Sequence, residues 1–287
     1  MLKLNTGQLL LSEKMWSLNW NIEMEHTNYW TEQLAEPLFP DIIWNKPQSK
    51  IHGPHLTLIG GYRDHFANIS QAYSRLLAIS TIINLELSLA DSLKPLIRHL
   101  NLACPIYYLP TNKTGNLSLK AFETILEIIS AISVIYLAGD LSNNSETILL
   151  IEQLIDNLTN IIFINSELLQ SLLASDCNYL NKNNIVLFFN PSQLQKWLIN
   201  SHFPMAFKST MNLLSWAELL HQISLAYHFY LICTYQNQIF LAHRGQIYSQ
   251  QLNSNLPIDQ ANYLIINAMA EQPNNQLKAG ISGLIVN

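Results

Sequence analysis

Short runs of consecutive apolar residues recur along this chain, each closed by a turn and followed by a helical stretch. His55-Leu56-Thr57-Leu58-Ile59 is the first; it ends in Gly60-Gly61, and helical spacing follows from about Ser70 to Ser80. Ser133 to Leu137 is the next, with a turn at Ala138-Gly139-Asp140-Leu141, and Ser145 is placed to cap a helix Glu146–Leu158. Ile161 to Ile164 precedes a helix Ser166–Ala174. Ile185 to Phe189 runs through Asn190-Pro191 into a helix Ser192–Ile199. Met211 to Tyr227 reads as a long helix, and Phe229–Thr234 with Gln238–Ala242 as a hairpin about Gln236-Asn237. Gly245 marks the next turn, and Pro257 opens a final long helix, Ile258–Glu271. Gly280-Ile281-Ser282-Gly283 reads as a turn in the tail.

Parallel strands buried on both faces read as unbroken apolar runs, whereas half-exposed strands alternate. The runs here are unbroken. Strand and helix in alternation predict a doubly wound, mostly parallel α/β sheet with helices on both faces. Residues 1–49 break this rhythm. Pro37, Pro40 and Pro47 stop helices, and Tyr29-Trp30, Leu38-Phe39 and Trp44 offer aromatic and apolar anchors. The expected organisation is an irregular N-terminal arm over 1–49 and one α/β domain over 50–287.

Composition adds a constraint on partners. Only 12% of residues are charged and 49% are hydrophobic, against about 25% charged in an ordinary soluble domain. So apolar a chain predicts a buried contact between copies, hence a homo-oligomer. A net charge of −5 argues against a nucleic-acid surface. No apolar stretch approaches the roughly 20 residues that span a bilayer, and Met1-Leu2-Lys3-Leu4-Asn5 does not begin a signal peptide. Cys104, Cys177 and Cys233 are scattered, as buried thiols of a reducing cytosol are. The expected location is cytoplasmic.

Candidate chemistry gathers at the turns. Gly60-Gly61, and Gly139-Asp140 with Ser142, follow strands at the carboxyl edge, where doubly wound sheets bind ligands. A carboxylate at Asp140 suits a cation or a sugar hydroxyl better than a phosphate. Asn190 can hydrogen-bond but cannot shuttle a proton as an imidazole does. His52, His55 and His65 cluster in sequence, yet Gly53-Pro54 forbids the helix that a His-x-x-His metal pair needs, so they read as surface histidines. No Walker P-loop, GxSxG elbow or HExxH motif occurs.

From about Lys50 to Gln272 the order and spacing of these turns resemble the NAD(P)H-hydrate dehydratase family of the ribokinase-like superfamily. Lys50-Ile51-His52-Gly53 leading to Leu58-Ile59-Gly60-Gly61 is similar to its opening strand and Gly-Gly-Ser turn, with Tyr62 for the Ser. Its Gly-Pro-Gly-Leu-Gly turn falls on Ala138-Gly139-Asp140-Leu141-Ser142, and its Asp-Ala-Asp-Ala-Leu strand end on Asn165-Ser166-Glu167-Leu168-Leu169. Its Pro-His-Pro-Gly-Glu turn falls on Phe189-Asn190-Pro191-Ser192-Gln193. Its nucleotide-facing Lys-Gly hairpin falls on Cys233-Thr234-Tyr235-Gln236-Asn237, without the lysine. Its Gly-Ser-Gly-Asp signature falls on Leu256-Pro257-Ile258-Asp259, which follow Asn255.

The resemblance implies ATP or ADP, with Mg²⁺, as cofactors of an active member, which phosphorylates the hydroxyl of a damaged, hydrated NAD(P)H and eliminates phosphate. It also implies Asp259 as catalytic base, nucleotide contacts at Thr234, Tyr235, Gln236 and Asn237, and ligand contacts at Gly60, Gly61, Gly139, Asp140, Ser142 and Asn190. The anion-hole glycines are replaced by Leu256, Pro257 and Ile258, and backbone N–H groups crowd a phosphate only where side chains are absent. The expectation is therefore a degenerate dehydratase-like or carbohydrate kinase-like protein, a pseudoenzyme that keeps a small-ligand pocket. Two alternatives stand beside it: an active ATP- or ADP-dependent dehydratase or small-molecule kinase, and an oligomeric scaffold without a small ligand.

Overall fold

The computed structural model describes residues 28–285 except 64, 81, 99–101, 130–132, 174–180, 209 and 253–255. Cys177 and Asn255 lie outside the described residues. The described strands form one sheet of ten: β1 (Trp30–Gln33), β2 (His55–Gly60), β3 (Asn84–Ala90), β4 (Ile106–Leu109), β5 (Ser133–Leu137), β6 (Ile162–Ile164), β7 (Ile185–Phe189), β8 (Tyr230–Tyr235), β9 (Gln238–His243) and β10 (Gln246–Gln251). Their order across the sheet is β1-β10-β9-β8-β7-β6-β5-β2-β3-β4. Only β9 runs against the other described strands.

The helices are α1 (Pro40–Trp44), α2 (Ala67–Ile79), α3 (Lys94–Ile97), α4 (Ala121–Ile128), α5 (Ser145–Asn157), α6 (Ser166–Leu172), α7 (Pro191–Asn200), α8 (Leu213–Ala226), α9 (Ile258–Glu271) and α10 (Gln276–Ser282). They divide between the faces. On one, Leu154 of α5, Leu169 of α6, Trp197 of α7 and Trp216 of α8 pack on Leu137, Ile164, Leu187 and Leu231. On the other, Leu76 of α2, Ile265 of α9 and Ile281 of α10 pack on Leu58, Tyr136, Phe163 and Phe188. Successive residues of one strand thus feed two cores. That is why the strands read as unbroken apolar runs, and it bears out the doubly wound α/β fold.

Asparagine side chains start the helices. Asn144 accepts from the N–H of Glu146, so Asn144 rather than Ser145 caps α5. Asn165 accepts from Glu167 N–H at the start of α6, and Asn212 from Ser215 N–H at the start of α8. Pro257 takes the cap position of α9 without a side-chain bond.

Three features depart from the pattern-based expectation. The arm is regular in part: Trp30–Gln33 pairs in parallel with β10 and forms the sheet edge. Trp30 Nε1 donates to Ser249 Oγ at 2.9 Å, and Tyr29 stacks on His221 and donates to Glu218. β3, β4 and α4 after Ser80, and β10 after Gly245, go beyond the expected elements; β3 alternates Leu85, Leu87 and Leu89 with Glu86 and Ser88 instead of forming a run. The run Gly280–Gly283 is no tail turn, because Gly280, Ile281 and Ser282 are buried in α10. A Cβ on Gly283 would lie 2.4 Å from that of Ala268, so glycine lets α10 abut α9.

Candidate functional site

The chain leaves β2 toward β3 and β4 and leaves β5 in the opposite direction, toward β6, β7 and β8, although β2 and β5 are neighbours. The helices after them, α2 and α5, lie on opposite faces. Between such strands the loops part and leave a crevice at the carboxyl ends. A cavity of about 770 Å³ lies there, lined by the turns after β2, β5 and β6. Its polar lining comprises Tyr62, His65, Asp140, Ser142, Asn143 and Glu167, with Gln170 and Ser171 behind.

Each loop is held by specific bonds. Asp140 is buried, and its Oδ2 accepts the N–H of Ile69 at 3.0 Å, in the first turn of α2. The Gly61 N–H donates to the Asp140 carbonyl at 2.8 Å. Gly61 has a φ of 79°, and a Cβ there would meet Leu93 Cδ1 at 2.5 Å, so this turn requires glycine. At Gly139 an added Cβ would come within 2.6 Å of Glu167 Oε2 and 2.8 Å of Asn68 Nδ2. Those two atoms are themselves hydrogen-bonded at 2.5 Å, bridging α2 and α6 beside the cavity. The Tyr62 and His65 rings stack at 4.5 Å across their tight turn.

Of the residues singled out in the sequence, Gly139, Asp140 and Ser142 line this cavity. Gly60 and Gly61 are buried beneath it and shape the turn. Asn190 lies apart, as the cap of α7: its Oδ1 accepts from the Gln193 N–H at 2.9 Å, and Gln193 Oε1 accepts the Asn190 N–H at 3.0 Å. Thr234 to Asn237 form the β8–β9 turn, where Gln236 and Asn237 adopt left-handed φ values of 46° and 61°. Three side chains of that turn are engaged: Tyr235 Oη and Gln236 Nε2 donate to the Met211 carbonyl, and Asn237 Nδ2 donates to that of Leu252.

Asp259 sits in the exposed first turn of α9 and lines a separate recess of about 50 Å³ with Tyr136, Asn165, Ser166 and Tyr263. Asn165 Nδ2 donates to Tyr136 Oη at 2.8 Å. Burial pushes the Tyr136 phenol well above its ordinary range, and Tyr263 is raised for the same reason. Both are therefore neutral donors at physiological pH. The segment Asn165-Ser166-Glu167 borders both spaces, with Glu167 on the large cavity and its two predecessors on the recess.

His65 is exposed, as a surface histidine should be, and also lines the cavity; Asn143, Glu167, Gln170 and Ser171 line it with no ligand role expected of them from the sequence. The signal for Glu167 was its place just after a strand; Gln170 and Ser171 follow one helical turn later, on the same face.

No protein-family model matches the chain, and neither does any curated protein. Among solved structures it is similar to a ribokinase-like superfamily protein of Enterococcus faecalis V583, with a TM-score of 0.60 and 12% identity over 91% of this chain and 86% of that one. The fold is ribokinase-like. A weaker likeness, TM-score 0.47 and 10% identity over 89% of this chain and 90% of that one, is to Anopheles gambiae adenosine kinase in complex with P1,P4-di(adenosine-5) tetraphosphate. No helix among the described residues is long and apolar enough to cross a membrane.

Proposed function

We propose that this chain is a degenerate ribokinase-like protein, of the dehydratase or small-molecule kinase type, that binds a small polar molecule at the switch point and does not transfer phosphate. The observation that carries the reading is the lining of the large cavity: two carboxylates, Asp140 and Glu167, with hydroxyl and amide groups, and no Lys or Arg among its lining residues. Carboxylates accept hydrogen bonds from hydroxyl or amine donors and repel phosphates.

The residues present do not fit a nucleoside triphosphate with its Mg²⁺. At the start of α9, Pro257 has no N–H, Leu256 packs against the second core, and Ile258 carries an exposed side chain where an anion hole needs bare backbone. Tyr235, Gln236 and Asn237 of the β8–β9 turn are already bonded to backbone carbonyls. Asp259 alone could accept a proton, but base catalysis contributes only roughly 10²–10⁴-fold, and stabilisation of the migrating phosphoryl group must supply the rest.

The test follows NADH recovery from its hydrate with ATP or ADP, in wild type and in Asp259→Asn. The expected result is negligible turnover in both, with a stability change in the variant of about 1 kcal/mol or less from the helix dipole. Calorimetry is expected to show weak or no nucleotide binding, and binding of a polyol that Ser142→Ala and Asn143→Ala weaken. Turnover that vanishes in Asp259→Asn would restore the active-dehydratase reading. A second reading, a homo-oligomer, is favoured by large apolar side chains left in water near the arm: Leu34, Trp44 and Ile51 are 76%, 82% and 89% exposed.

A further inference from the structure

A second polar cavity lies at the other end of the long helix α9, away from the switch point. It measures about 170 Å³ and is lined by Lys46, Ser80, Asn267 and Glu271 over an apolar floor that includes Ile79, Ile82, Leu264 and Ala268. That volume far exceeds the ~10–15 Å³ that admits one water.

Its polar atoms are unevenly satisfied. Asn267 and Glu271 are each 6% exposed. Asn267 Nδ2 donates to Glu271 Oε1 at 2.9 Å. A carboxylate only accepts, so this bond fixes which end of the amide is nitrogen. It leaves Asn267 Oδ1 buried without a hydrogen-bond donor. Glu271 Oε2 has only the loose ion pair to Lys46 Nζ, at 3.3 Å, and no hydrogen bond of good geometry. Ser80 Oγ accepts the N–H groups of Ile82 and Ile83, and its own proton goes to no protein acceptor among the described residues. Buried polar groups are rarely left open in this way, so each such group asks for a partner.

We infer that this cavity binds a small zwitterion of the free α-amino-acid type, with an aliphatic side chain. Charge decides the class. Lys46 and Glu271 neutralise each other, so a lone cation would meet the ammonium and a lone anion the carboxylate. A zwitterion brings both signs. Its ammonium donates to Asn267 Oδ1 and Glu271 Oε2, its carboxylate accepts from Lys46 Nζ and the Ser80 hydroxyl, and its hydrocarbon lies on Ile79, Ile82 and Leu264. Lys46 stands at the mouth, its side chain 22% exposed, where it can part from Glu271 to admit the ligand. The site is separate from the switch-point cavity and independent of the function proposed for it.

The test uses the full chain and three probes of matched shape: valine, isobutylamine and isobutyrate. Calorimetry and thermal unfolding should show saturable one-to-one binding of valine, about tenfold or more tighter than either single-charge analogue. Asn267→Leu, which removes the open acceptor and fills the space, should weaken valine binding by about tenfold or more. Should that core variant fail to fold, Lys46→Met at the mouth carries the same expectation. Failure of valine to bind saturably would mean that the cavity holds only water, and would overturn the inference. So would amine or acid binding as tight as valine, or valine affinity untouched by both substitutions.

Discussion

Single residues here show how burial sets chemistry. His243 is 9% exposed, stacks on Tyr230 with ring centres 3.8 Å apart, and places Nδ1 3.3 Å from the Phe229 carbonyl. That contact is a hydrogen bond when the neutral ring carries its proton on Nδ1. Burial, assisted by the positive charge of Arg244 and the neighbouring His228, pulls its pKa from the ordinary 6.5 to about 4, against the opposing pull of the carbonyl. The native state therefore keeps His243 neutral down to about pH 4, whereas the unfolded chain protonates it below about pH 6.5. Between those values the unfolded state binds more protons, so stability falls as pH falls and levels off below pH 4. The loss attributable to this residue is on the order of 2 kcal/mol, discounted for the part of the ring that still meets solvent. Urea unfolding at pH values from 7 to 4 should show a shallower decline for His243→Phe than for wild type. Parallel curves would show that His243 does not drive the loss.

At the scale of elements, the same residue type serves as a helix start and as a candidate ligand contact, and context separates the two. Asn190 and Gln193 form a reciprocal cap on α7, and Gln193 Nε2 also donates to the Ser166 carbonyl at 2.6 Å, tying α7 to the start of α6. Asn190→Ala should cost about 1 kcal/mol and Asn190→Asp almost nothing. Neither should change the affinity of a ligand in the switch-point cavity. Chemical denaturation with parallel calorimetry checks both, and a selective loss of affinity would return Asn190 to the binding site. The central strands were legible because a strand buried on both faces must be apolar throughout. β3, with Glu86 and Ser88 between its leucines, and the short edge strands β1 and β4 carried no such signal. The cavity at the turn after β5 was legible because topology places that turn at the switch point. Gly60 and Gly61 shape their turn and Asn190 caps α7, because turn geometry and capping select the same residues that ligands do. His65, Glu167 and Gln170 were hidden because the turn after β2 and the helix α6 bring them together at the cavity, a convergence that no local spacing encodes. The open acceptor on Asn267 was hidden for a related reason, since it depends on which way a neighbouring carboxylate turns.

Across the whole molecule the scarcity of charge has a structural counterpart. Both faces of the described sheet are covered by helices, so the apolar composition is mostly spent on two cores. What remains exposed is uneven. Leu34 follows the edge strand β1, Trp44 ends α1, and Ile51 lies seven residues further along. All three are more than three-quarters exposed. Gln272 Nε2 donates to the Ile42 and Asn45 carbonyls, so Trp44 belongs to a segment tied to the domain and not to a loose tail. A tryptophan held in water on an anchored segment is the kind of aromatic anchor that interfaces concentrate. A stable dimer buries about 800 Å² on each partner, so these side chains would form the apolar part of a larger contact. Multi-angle light scattering at micromolar concentration should give twice the chain mass for wild type and a shift toward monomer for Trp44→Ser with Ile51→Ser. Circular dichroism should stay unchanged, because neither side chain contributes to a core. A wild-type monomer would end the oligomer reading, and a dimer untouched by the double substitution would move its interface elsewhere, to the edge of β4 or the outer faces of α5 and α7.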